Sequence, residues 1–150
     1  MDVLVPVAVV LLVALIVGFV ALNRFVAKAR AQTNEEVRTR LGGDPVLFDD
    51  EAEALGVESR EQGYLRGMGC LGMNERELLF VQWKPRQEIR IALADIVEVI
   101  ETTEHRGRDF GRPILAVRFR SAESQSEDGT DVIAWRVYDV GRWRDALRAG

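Results

Sequence analysis

The chain has 150 residues, room for one modest domain and its accessories. Its 20 Lys and Arg are outweighed by 24 Asp and Glu, and the net charge of -4 excludes the broadly basic footprint of a nucleic-acid binder. One cysteine, Cys70, excludes an internal disulfide and agrees with a reducing compartment.

Apolar residues are concentrated at the start of the chain. From Val3 to Leu22 no residue is charged, and fifteen of the twenty are Val, Leu, Ile or Phe. Twenty residues at helical rise span about 30 Å, the thickness of a bilayer core. Side chains of this kind favour insertion by roughly 0.3–0.6 kcal/mol each. Pro6 falls in the first turn, where its missing N–H costs the helix little. A transmembrane helix with a short outer end is therefore expected over residues 1–26. A cleavable signal peptide is the rival reading, because Ala27-Lys28-Ala29 has the small-x-small form of a cleavage site. Against it stand Asp2, where such a peptide carries positive charge, and the length of the apolar run. Arg24, Lys28, Arg30, Arg38 and Arg40 all follow the run. Positive flanks stay inside, so the amino terminus is expected outside and residues 24 to 150 in the cytoplasm. Arg outnumbers Lys 18 to 2, a usage that points to a GC-rich bacterial genome. The expected location is thus the cell (inner) membrane, crossed once.

Residues 24 to 41 read as a cytoplasmic continuation of the helix. Glu36 and Arg40 are spaced i,i+4, and Gly42-Gly43 is a natural stop. The following "DPVLFDDEAEALGVESREQ" is acidic with small apolar islands. Its acids at 49, 50, 51 and 53 lack the alternating ligand spacing and loop glycine of a calcium site, and a solvated linker is expected instead. Residues 27–62 are accordingly assigned to the helical extension and an acidic linker.

From residue 63 the texture changes to short apolar runs between turn residues. Six strands are expected, in "GYLRGMGCL", "ELLFVQW", "QEIRI", "IVEVIET", "PILAVRFR" and "DVIAWRV". Lys84-Pro85-Arg86 forms a turn, and "TEHRGRDFGR" and "SAESQSEDGT" form polar loops. The closing "DVGRWRDALRAG" reads as an amphipathic helix with Asp139 as N-cap and Val140, Trp143 and Leu147 on one stripe.

Inside the first of these strands, Gly67, Gly69 and Gly72 carry the spacing of a dinucleotide-binding fingerprint. That fingerprint needs a strand before it and a helix after it, whose N-terminus receives the pyrophosphate. Here a turn and another strand follow, so the glycines are read as points of close packing within a strand. His105 is the one histidine and has no ligand cluster around it, Cys70 is expected in the core, and Ser121, Ser124 and Ser126 form no triad. No catalytic residue, cofactor or metal site is expected.

The stretches "GCLGMNERELLFVQW", "IRIALADIVEVIE", "ILAVRF" and "RWRDAL" resemble the pleckstrin-homology superfold, including bacterial PH-like and GRAM-like domains. The resemblance runs over residues 64 to 149 and is one of pattern. It implies a mainly-β PH-like domain, residues 63–150, of about six to seven antiparallel strands closed by a C-terminal amphipathic helix. Trp143 matches the family's helix tryptophan. The family has seven strands; the seventh is hidden in residues 46 to 60 or absent. Its members bind phosphoinositides, proteins or nothing known, so the fold alone does not fix the function.

A meander of the six strands puts alternate loops at one end. Lys84 and Arg86 then lie with Arg106, Arg108 and Arg112, a candidate contact for anionic lipid head groups or an acidic protein partner. Glu75, Asp95, Glu123, Glu127, Asp128 and Asp131 collect at the other end. The combined expectation is a non-catalytic binding or scaffold module, integral to the membrane at its cytoplasmic face. A small accessory subunit of a larger membrane complex is the alternative, and an enzyme the remote one.

Overall fold

A computed structural model describes residues 3–150 of the chain. The first helix, α1 (Leu4–Arg40), runs for 37 residues without a break through both the expected span and its extension. No residue from 3 to 28 is buried. This helix is long and apolar enough to cross a membrane, with mean hydropathy 3.1 over its most apolar stretch. It stops at Gly42 and Gly43, both with positive φ (91° and 92°). The Gly43 N–H bonds back to the Arg38 carbonyl at 2.7 Å, satisfying a carbonyl the helix would otherwise leave open.

Seven strands follow: β1 (Leu47–Val57), β2 (Arg66–Met73), β3 (Glu77–Gln82), β4 (Gln87–Ala92), β5 (Ile96–His105), β6 (Arg108–Arg120) and β7 (Thr130–Arg136), and then α2 (Val140–Ala149). They form one curled antiparallel sheet in the order β4-β3-β2-β1-β7-β6-β5. The acidic linker expected at 44–62 is thereby corrected, because β1 lies inside it and occupies the centre of the sheet, paired with both β2 and β7. Its acids reach this position because each has a partner. Between Asp49 and Ala52 the register against β2 slips by one residue. The resulting bulge turns Asp50 and Glu51 toward one guanidinium, that of Arg30, at 2.7 and 2.6 Å. Glu53 meets Arg136 at 2.6 Å, and Asp49 accepts from the backbone N–H of Tyr138 at 2.8 Å.

The polar loop expected at 103–112 is also corrected. β5 and β6 continue to a two-residue turn, Arg106-Gly107, with both residues at positive φ (55° and 76°) as tight hairpins require. A second register slip, between Thr102 and Glu104, lets the tip bend back over the sheet.

Two apolar layers matter for the site. Inside the curl, Phe80 and Trp135 meet at 6.0 Å between ring centroids, and α2 closes the barrel end with Trp143 and Leu147. On the outer face, Val37 and Leu41 of α1 pack with Cys70, Leu79, Val81 and Phe48. The glycines of β2 serve these layers. A Cβ at Gly69 would stand 2.3 Å from the Val81 carbonyl oxygen and 2.7 Å from the Phe80 ring. One at Gly72 would stand 2.6 Å from Leu41 and 2.9 Å from Val37. The outer layer is framed by ion pairs from Arg30 to Asp50 and Glu51, from Arg86 to Glu36 and from Arg40 to Glu88, and by the Arg38 guanidinium lying 3.9 Å above the Phe48 ring. This seam couples the helix to the sheet.

Candidate functional site

The β5–β6 tip is placed by a buried histidine. His105 Nε2 lies 2.7 Å from the Gly56 carbonyl oxygen, and the Arg106 guanidinium donates to the Val57 carbonyl. Burial pushes the His105 imidazole below its ordinary value, against the raising effect of the Gly56 carbonyl, so the neutral ring donates Nε2–H. The Gly56 N–H bonds the Leu65 carbonyl at 3.0 Å, and the Leu65 N–H bonds Gln87 Oε1 at 2.8 Å. Hairpin tip and β3–β4 turn thus both border the connection from β1 to β2.

Lys84, Arg86, Arg106, Arg108 and Arg112 are all exposed, the first two in the β3–β4 turn, Arg106 and Arg108 at the hairpin tip, and Arg112 further along β6, away from both. They differ in what they touch. Arg86 pairs with Glu36 of α1 and holds that carboxyl below the usual carboxylate range. Arg108 lies over the Phe110 ring at 5.1 Å. The acids expected at the opposite end are divided. Asp131 accepts from the Ser59 backbone N–H at 3.0 Å and from its hydroxyl, and Glu123 lies 3.6 Å from Arg60. Both therefore stand beside the β1–β2 connection. The reason is β1 itself: by pairing with β7 as well as β2, it brings the start of β7 to its own C-terminal end. A six-strand meander lacks this closure.

Beside this connection the barrel opens into a cleft of about 430 Å³, lined by Val57, Tyr64, Ile89 and Phe119 at its apolar wall and by Arg60 and Arg120 at its rim. Arg60 stacks on Tyr64 at 4.4 Å, and Arg120 donates to the Ala94 carbonyl at 2.6 Å. The cleft also carries Glu88, Asp95, Glu123 and Asp131, so its charge is mixed. Its arginines are engaged by protein groups, an arrangement suited to polar docking and offering no activated nucleophile.

The remaining chemical groups are quiet. Burial pushes the Cys70 thiol up to about 12, with Asp50 adding to the effect, so it stays protonated and unreactive. Among the described residues no group of three or more His, Cys, Asp or Glu is placed to hold a metal ion. Sequence reasoning missed Arg60, whose signal was slight, and the seam partners Asp50 and Glu51, which carried the signal of an acidic block and no indication of the cation they meet.

No protein-family model and no curated protein matches this chain. Among solved structures it is similar to the Vps36 N-terminal PH domain, with a TM-score of 0.50 and 15% identity. The similarity covers 71% of this chain and 76% of that one. The seven-stranded curled sheet closed by a C-terminal helix is therefore a PH-like fold.

Proposed function

We propose that this chain is a single-pass, membrane-anchored binding module without catalytic activity, its PH-like domain held at the cytoplasmic face. The observation that carries the reading is α1, whose exposed apolar half runs without interruption into a half that is packed on the sheet. The exposed Lys84, Arg106, Arg108 and Arg112 supply positive charge for anionic lipid head groups, each gaining roughly 1 kcal/mol near such a surface. Arg86 contributes less, because Glu36 already neutralises it.

The test uses a fragment, 27–150, that lacks the apolar run and keeps the seam. It is expected to co-sediment with phosphatidylserine vesicles at low salt and to be released as salt shortens the Debye length from about 10 Å at 0.1 M to about 3 Å at 1 M. Phosphatidylcholine vesicles should not retain it. Reversal of Lys84, Arg106 and Arg108 to Glu should abolish retention. A wild-type fragment that ignores anionic vesicles at low salt overturns the lipid reading and leaves a protein partner as the ligand.

A further inference from the structure

We propose that the α1 seam fixes the orientation of the domain, holding one rim of it against the lipid surface that α1 crosses. The rim comprises the β1–β2 connection, the β3–β4 turn and the β5–β6 tip. This rests on the single-pass reading of α1.

The polarity follows from contacts along the seam. Arg30 meets Asp50 and Glu51, whereas further along α1 Arg38 lies over Phe48. At the end of the helix the Leu41 carbonyl accepts from Asn74 at 3.3 Å, and Asn74 follows Met73, the partner of Leu47. Moving away from the apolar run along α1 is therefore moving backwards along β1. β4 reports the same polarity independently. Glu36 pairs with Arg86 and Arg40 with Glu88, so β4 runs in the direction of α1. β1 and β4 are opposed in the sheet, as two intervening antiparallel neighbours require. The C-terminal end of β1 and the start of β4 thus point at the membrane.

The lengths agree. Arg30 lies about 12 Å beyond Leu22 at 1.5 Å per residue. From Glu51 to Val57 β1 extends about 20 Å at roughly 3.3 Å per residue. The strand segment is longer than the helix segment it must match, so β1 has the reach to bring Val57 level with the inner end of the apolar run. No Pro interrupts α1 beyond its first turn, and its one internal glycine, Gly18, lies within the apolar run, so a hinge between run and seam has no sequence to form it. Arg60 and Arg66 then join Lys84, Arg86, Arg106 and Arg108 on the membrane side. Glu75 and Tyr138, the latter 98% exposed, lie at the far rim.

The experiment uses the full chain in phosphatidylcholine vesicles, with single cysteines introduced as Glu61→Cys or Gly63→Cys on the near rim and Glu75→Cys or Tyr138→Cys on the far one. Cys70 is buried and stays unlabelled. Relaxation of a nitroxide label by head-group-chelated nickel is expected to be several-fold stronger at 61 and 63 than at 75 and 138. Equal relaxation at the four sites, or the reverse order, overturns the proposal. In Val37→Asp, or separately in Leu41→Asp should the first misfold, the contrast should collapse while the far-ultraviolet spectrum keeps its strand signal. A contrast that survives both variants also overturns it. Because neutral lipid is used, success here with no binding of 27–150 to anionic vesicles keeps the orientation and removes the lipid-charge reading. The opposite pair of results removes the orientation alone.

Discussion

Gly69 and Gly72 lie three residues apart on β2 and serve opposite faces. Gly69 stands against β3 backbone, which cannot move aside, and Gly72 stands against two α1 side chains. Gly69→Ala should therefore destabilise the whole domain by at least about 1–3 kcal/mol. Gly72→Ala should loosen only the seam, seen as faster proteolysis between 27 and 45 with little change in the melting of the sheet. Equal effects of the two would contradict the assignment of faces. Trp143 is 3% exposed in the core, and its replacement by Ala should cost roughly 3–5 kcal/mol. Against a total of about 5–15 kcal/mol, that variant should melt far lower, and unchanged melting would place the ring outside the core. His105 adds a pH dependence. Its folded value lies below the ordinary 6.5, so the unfolded ring takes the proton first as pH falls. Its contribution is complete above about 6.5 and is lost as pH falls toward the lower folded value. The melting temperature should drop between pH 7.5 and 5.5, and His105→Gln, which keeps a donor for Gly56 but does not titrate, should show a smaller drop.

β1 is the element on which the architecture turns, and it is the one least visible in the sequence. Asp49, Asp50, Glu51 and Glu53 are poor strand formers, and no local pattern announces that Arg30, Arg136 and the Tyr138 N–H await them. The other strands carry alternation or apolar runs of their own, and six of the seven were legible for that reason, as were α2 and the long apolar helix. The β5–β6 tip was hidden because Arg-Gly is an uncommon turn pair and the preceding residues alternate weakly. Of the basic residues, Lys84, Arg86 and Arg106 sit in exposed turns, whereas Arg108 and Arg112 belong to β6 and not to the loop expected there. Their division between the seam and the β5–β6 tip depends on Glu36 and Gly56, contacts far apart in sequence. At this scale the seam makes its own prediction. Each exposed ion pair contributes at most about 1 kcal/mol, whereas Val37 is fully buried in an apolar layer. Val37→Asp should free the helix from the sheet in a cross-linking assay, and Arg30→Glu should weaken it only partly. Equal loss in both would mean that charge, not apolar packing, holds the seam.

At the scale of the molecule the parts have different tasks. The apolar half of α1 has no protein to cover it, the other half is a brace, and the PH-like sheet presents turns and a mixed-charge cleft to whatever it meets. Under the proposed single-pass reading, position is the property this arrangement controls. The domain is small, and an anchor that restricts it to one surface raises its effective concentration for partners there without any new contact. A cleaved or inverted chain loses that advantage, because the cleft and the basic turns would then face a different compartment or none. The central claim is therefore the topology, and paired reporters fused after Gly150 test it directly. A fluorescent reporter that matures in the cytoplasm should light the membrane, while a phosphatase that works only outside it should stay silent. An active phosphatase would place the domain on the other side and contradict the account.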